Sequence, residues 1–317
     1  MDKKIFTNNK FIAAIAALCC LLWGSAYPAV KNGYILFNIH KGDVQSELVF
    51  AGYRFIIAGL MVLIIAKIIG RKLFKLSKKD ILGLLGLGIS QTSLQYFFFY
   101  IGLANTTGVK GSILNSLGTF FSVILAHFIY KNDKLNKRKI LGCIVGFVGV
   151  MIVNFSSDLI NISFTVKGEG FVIIAAFVFA ASAIYSKKLS ENIDVMLITG
   201  YNLFIGGVIL AVFGLANGGK VTHFEVSSTS LLIYMGFLSA VAFSLWTLLL
   251  KYNKVGKVSI FNFLVPVFGT VLSSIFLREN ILEIKNFIAL IFVCIGIWFV
   301  NREKDIIEVN TTTEKIS

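Results

Sequence analysis

GVKGSILNSLGT, residues 108–119, is answered without a gap by VGKVSIFNFLVP, residues 255–266. The pairing runs on to residues 154 and 301 at a constant offset of 147, with twelve identities in 47 positions. A shared apolar bias accounts for the matched Leu, Ile and Val. It does not account for Lys110/Lys257, Ser112/Ser259, Asn115/Asn262 and Asn154/Asn301. Further back the echo loosens: Tyr53-Arg54-Phe55-Ile56-Ile57-Ala58-Gly59 faces Tyr201-Asn202-Leu203-Phe204-Ile205-Gly206-Gly207, and Trp23 through Lys31 faces Phe179 through Lys187. A duplicated, apolar chain of this kind reads as a polytopic membrane protein that holds its substrate near the bilayer midplane, between the halves.

Composition agrees with that class. The 317 residues are 56% hydrophobic and 15% charged, with a mean hydropathy of +0.83, whereas soluble domains carry about a quarter charged residues. Ten apolar runs, at 11–30, 47–68, 81–103, 109–130, 139–155, 169–187, 195–216, 230–250, 258–277 and 286–300, approach the roughly 20 residues needed to cross a bilayer. Backbone groups in lipid must be bonded within the segment, so these runs predict helices. The fold expected is an all-α integral membrane protein with ten transmembrane helices. An odd number of spans per half makes the repeats inverted. They cover residues 1–155 and 169–301, joined by an outer connector at 156–168 and followed by a cytoplasmic tail at 302–317.

The net charge of +14 does not point to nucleic acid. With the N-terminus cytoplasmic, 22 of the 30 Lys and Arg residues lie on the cytoplasmic connections and seven on the outer ones, with Arg54 alone inside a span. That bias places both termini in the cytoplasm of a plasma membrane of the bacterial inner-membrane type. Lys3, Lys4 and Lys10 before an apolar stretch resemble a secretory signal, but residues 11–31 have an internal counterpart at 167–187, which argues for a retained span. Cys19, Cys20, Cys143 and Cys294 lie within predicted spans without metal-type spacing and read as small buried hydrophobes. Gly142, Gly146 and Gly149, and Gly83, Gly86 and Gly88, are spaced for close helix packing.

Several motifs, in order, resemble the EamA-type transporters of the drug/metabolite transporter superfamily: Leu21-Leu22-Trp23-Gly24-Ser25-Ala26-Tyr27, Tyr53 through Ala58, Gly108-Val109-Lys110-Gly111-Ser112, Gly142 through Val150, and Val265-Pro266-Val267-Phe268 through Leu277-Arg278-Glu279-Asn280. The resemblance implies a ten-helix inverted-repeat carrier that moves small metabolites, often outwards, by alternating access. Two positions depart from the pattern. The proline usual midway along span four is replaced by the run Asn115 to Thr119, so only Pro266 remains, and the glutamate after that helix is Glu279 in one half and Asn132 in the other. The halves are therefore not equivalent.

Polar residues within spans are the functional candidates. Arg54 either forks onto a substrate carboxylate or phosphate or serves structure and gating. We place it with Pro266, which kinks span nine, and Glu279 as structural or gating candidates. Gln91 and Gln95, four apart on one face with Gly88, and Tyr96 come from span three. Asn115 and Thr119 come from span four, Asn262 from span nine, Ser25 and Tyr27 from span one, Ser182 and Tyr185 from span six, and Trp246 from span eight. Amides, hydroxyls and rings suit a neutral or zwitterionic metabolite with an apolar part; the same residues also serve as glue between helices. His127 reads as an interfacial, satisfied histidine.

The rival class is an integral membrane lipid-modifying enzyme, for which no His-x-x-x-His, paired Asp or Cys/His cluster is present. No Gly-rich loop ending in Lys-Ser/Thr suggests direct ATP drive, and no cofactor or metal is expected. The partners expected are a small-molecule substrate and the lipid bilayer, with no nucleic acid and with a homodimer as one assembly. Within the carrier class, export of amino acids or related compounds is the leading reading; a drug, sugar or nucleotide-sugar cargo is the alternative.

Overall fold

The computed structural model describes residues 6–40, 42–155, 164–277 and 284–301. Glu279, most of the connector and the tail lie outside them. Ten helices account for the described chain: α1 Asn9–Leu36, α2 Val44–Ile68, α3 Lys78–Ala104, α4 Gly108–Ile129, α5 Lys137–Val153, α6 Val166–Leu189, α7 Val195–Ala216, α8 Val226–Tyr252, α9 Val255–Phe276 and α10 Ile284–Asn301. Nine are long and apolar enough to span a membrane; α5, at 17 residues, falls just short. Short polar residues start many of them, because a side-chain oxygen satisfies an otherwise orphaned N–H. Asn8, Asp43, Ser77, Thr107, Asn136 and Asp194 cap in this way, and Ser77 with Asp80 forms a full capping box. Bulky apolar side chains such as Ile68, Phe128, Phe213 and Phe287 point outward, as a lipid-facing surface requires.

The repeat is visible in the packing. Helices α2 and α7 run antiparallel, and glycines let their backbones meet. A β-carbon at Gly59 would lie 2.5 Å from Phe204 N, and one at Gly207 would lie 2.7 Å from Ile56 N. Shifting each partner by 148 turns the first contact into the second. Gly52 against Ala211 and Gly200 against Leu63 are likewise exchanged. Helices α5 and α10 repeat the pattern at an offset of 147, with Gly142 against Gly296 and Gly149 against Ala289. Off this axis, α1 packs on α8 and α9 while α6 packs on α3 and α4, which is the same arrangement with the halves exchanged. The identical residues have matching roles. Asn154 and Asn301 each donate to the carbonyl four residues back, at 2.8 and 2.9 Å. Lys110 reaches Glu169 at the start of α6, and Lys257 reaches Asn9 at the start of α1.

Three irregularities break the symmetry. Residues Gly88–Leu94 of α3 form a π-helical segment, while α8 is continuous; the π geometry moves Gln91 and Gln95 off a simple α-helical face. The sixth helix begins with a π turn at Val166–Gly170, inside the stretch read as connector. In α9, Pro266 has no N–H to give the carbonyl of Asn262, and Ile260–Phe263 tightens into a 3-10 turn. Its partner α4 carries no proline and is unbroken.

Candidate substrate site

Helix α4 meets the first turns of α9. Thr119 Oγ1 donates to the Ser259 carbonyl at 3.4 Å, and Val123 lies beside Gly256. Asn115 lies one turn before Thr119 on α4, and Asn262, its repeat mate, lies three residues beyond Ser259 on α9. Both asparagines are half-buried, and neither side chain has a hydrogen-bond partner among the described residues. Helix α4 packs on the Val255–Phe263 start of α9 rather than on its remainder. The two helices are thus joined towards the face that carries the N-terminus and part towards the distal face.

The joined end is held by charge. Asp133, just beyond α4, accepts from Lys139 Nζ at 2.8 Å and from the Gly256 N–H at 3.0 Å. The two charged side chains are 2% and 1% exposed. Each ion pays several kcal/mol of desolvation, offset here by complementary charge and by Lys139 donating also to the Lys134 carbonyl. Nearby, Lys187 donates to the Leu250 and Asn253 carbonyls across α6 and α8. Tyr130 donates to the Ile184 carbonyl at 3.4 Å. His127 Nδ1 accepts from the Leu135 N–H, the satisfied structural role expected of it.

A second pair of bridges ties the halves. Arg54 Nε donates to Ser239 Oγ at 2.8 Å, and Asn202 Nδ2 donates to Gln91 Oε1 at 2.7 Å. Helices α3 and α8 correspond at an offset of 148 from end to end, so these are the same contact seen from the two halves. Their chemistry differs. Asn202 uses both ends of its amide, its carbonyl also accepting from Thr92 Oγ1 at 2.9 Å. Arg54 is 4% exposed, and no described protein group accepts from its two terminal amino nitrogens.

The EamA-like transporter family matches this chain over residues 10–155 and again over 166–302. The chain belongs to the EamA-like transporter family. An uncharacterized transporter of Archaeoglobus fulgidus is 27% identical over 271 residues, covering 84% of this chain and 89% of the relative. The uncharacterized transporter YoaV of Bacillus subtilis is 25% identical, covering 88% and 92%. A solved crystal structure aligns with a TM-score of 0.75 over 92% of this chain and 96% of its own, at 13% identity, a likeness of fold alone. This EamA-like transporter is therefore a multi-pass membrane transporter.

Within this EamA-like transporter the sequence candidates divide. Gln91 and Thr119 bridge helices. Ser25 bonds the Leu22 carbonyl and Tyr234. Tyr27 packs on Gly269, Trp246 meets Trp23 edge-on at 5.0 Å, and Tyr96 lies tilted against Phe55 at 4.6 Å. Ser182 and Gln95 are buried with no hydrogen bond to a described group. Tyr185 is 37% exposed and lies over Gly83 and Gly86 near the N-terminal face, apart from the α4–α9 contact. A groove of about 500 Å³ at the distal ends of α1 and α8, lined by Ile35, Leu36, Ser230 and Leu231 among others, is separate from all these residues. Sequence reading missed Ser239 and Asp133. The first was signalled by its correspondence with Gln91; the second bonds a backbone N–H, which no side-chain pattern reports.

Proposed function

We propose that this chain is a secondary carrier that takes a small metabolite, an amino acid or related compound, to the outside by alternating access, with both termini in the cytoplasm of a bacterial-type inner membrane. The observation that carries the reading is the asparagine pair Asn115/Asn262. Two repeat-related amides without described partners lie about one turn beyond the Thr119–Ser259 contact, where α4 and α9 begin to part. Polar groups left unsatisfied in a span are costly unless something polar visits them. A ligand held there meets both halves equally, as a rocking carrier requires. The test compares the medium around cells making the intact protein with that around cells making Asn115→Trp at equal membrane level. A metabolite enriched only by the intact protein supports export. Equal media combined with uptake of a supplied compound would reverse the direction.

A further inference from the structure

We propose that Arg54 is the receptor for a carboxylate on the transported molecule, and that the molecule is a small monoanionic acid, or a zwitterion bearing one carboxylate, with an apolar or aromatic body. This rests on the carrier reading above and names the substrate class for it.

The argument begins with an imbalance of donors. The guanidinium makes one described hydrogen bond, from Nε to Ser239, and its two amino groups have no described protein acceptor. A guanidinium fork matches the two oxygens of a carboxylate. The indole N–H of Trp23 is also buried and unpartnered. A run of rings connects the two donors: Trp23 lies 5.4 Å from Phe243, Phe243 lies 6.4 Å from Phe55, and the Arg54 guanidinium sits 5.0 Å from the Phe55 ring. Tyr96 extends the wall from Phe55 at 4.6 Å. Donors without acceptors, set among aromatic rings, complement a ligand that is acceptor at one end and apolar in its body.

The repeat supplies the internal control. The symmetry-related bridge, Asn202 to Gln91, is neutral, and Thr92 adds a second bond to it. A purely structural tie between these helices is thus already built without charge in the other half. What Arg54 adds over Asn202 is a positive charge and two free donors. It lies on the distal side of the Gly59–Phe204 and Ile56–Gly207 level at which α2 and α7 cross the axis.

The test uses the full chain purified into lipid nanodiscs and follows thermal unfolding with four probes of one shape: 3-phenylpropionate, L-phenylalanine, phenethylamine and neutral 3-phenylpropanamide. The carboxylates should stabilise the wild type, and the amine and amide should not. Arg54→Gln should weaken the carboxylates by roughly ten- to a hundredfold, the worth of a charged hydrogen bond, and remove their advantage over the amide. Trp23→Phe keeps the ring, loses the donor and should weaken the carboxylates alone, so the assignment stays testable if Arg54→Gln fails to fold. An unchanged preference in both variants overturns it, as does a lack of carboxylate response in the wild type. Stabilisation by chloride equal to that by 3-phenylpropionate also overturns it, in favour of an inorganic ion. Counterflow of the same carboxylates in proteoliposomes separates the two readings. Arg54-dependent binding without movement would remove the carrier reading and leave the receptor. Movement indifferent to Arg54→Gln would do the reverse.

Discussion

At the scale of the residue, the buried Asp133–Lys139 pair is the most consequential contact outside the candidate site. Removing one partner strands a charge, at a cost of about 3–5 kcal/mol, whereas removing both is often tolerated. The other half supplies the neutral version, since Asp133 and Lys139 correspond to Asn280 and Asn286. Asp133→Ala is therefore expected to lower the unfolding temperature in detergent sharply. The double change Asp133→Asn, Lys139→Asn should recover most of the loss. Equal losses from the two would show that the pair carries no net coupling. Part of this residue-level picture was readable beforehand. The four polar identities in the repeat pointed to repeated contacts, and three of them are matched in space or chemistry: Lys110/Lys257, Asn154/Asn301 and Asn115/Asn262. Thr119 and Gln91 proved to be ties, because a short hydroxyl or amide at a helix crossing bonds whatever carbonyl or amide faces it, and sequence alone does not say which.

At the scale of the element, apolar length and period located all ten helices, and the seventh was read with the bounds the structure has, Val195–Ala216. Of the glycines read as packing residues, Gly83, Gly88, Gly142, Gly146 and Gly149 are closely packed, while a β-carbon at Gly86 would make only ordinary contact with Tyr185. Gly59→Leu would force α2 away from α7 and should leave little folded protein in detergent, since a side chain there meets backbone. Gly108→Ala is the contrast. A β-carbon there meets nothing within 4 Å and the φ is not positive, so the change should be neutral or stabilise by up to about 1 kcal/mol. Melting temperatures of the two variants decide the matter. The π segment of α3 was not legible, because no residue in Gly88–Leu94 is excluded from an α-helix; tertiary contacts with α7, through Gly88, Thr92 and Ser93, accompany it. The break in α9 was legible from Pro266, which removes a donor, although Pro28 stands inside α1 without breaking it.

At the scale of the molecule, the symmetry sorts contacts into two kinds. If the halves exchange conformations, a contact that already has its mate is carried onto that mate and survives. A contact without one must open. The α2–α7 and α5–α10 interfaces are of the first kind. The Thr119–Ser259 bond is of the second, since the repeat mate of Thr119 is Pro266, which brings no hydroxyl. On a cysteine-free background, a disulfide between Leu63→Cys and Gly200→Cys should leave flux largely intact, while one between Val123→Cys and Gly256→Cys should stop it until reduced. Flux surviving the second cross-link would exclude opening at that face. Orientation is testable in the same background. An impermeant maleimide added outside should label a cysteine at Gly218 and spare one at Phe74, both in exposed loops. The reverse labelling would invert the charge-based topology.

Arg54 also has an electrical consequence. A fixed positive charge inside the span lies part-way down the membrane voltage, where each 100 mV acts on a full crossing charge with about 2.3 kcal/mol. A bound monoanion cancels it. If the cargo is the monoanion proposed above, the loaded carrier presents a neutral centre to the field while the empty one does not, so voltage would act chiefly on the return of the unloaded protein and the cell's own polarisation would set how fast the carrier is ready for its next passenger.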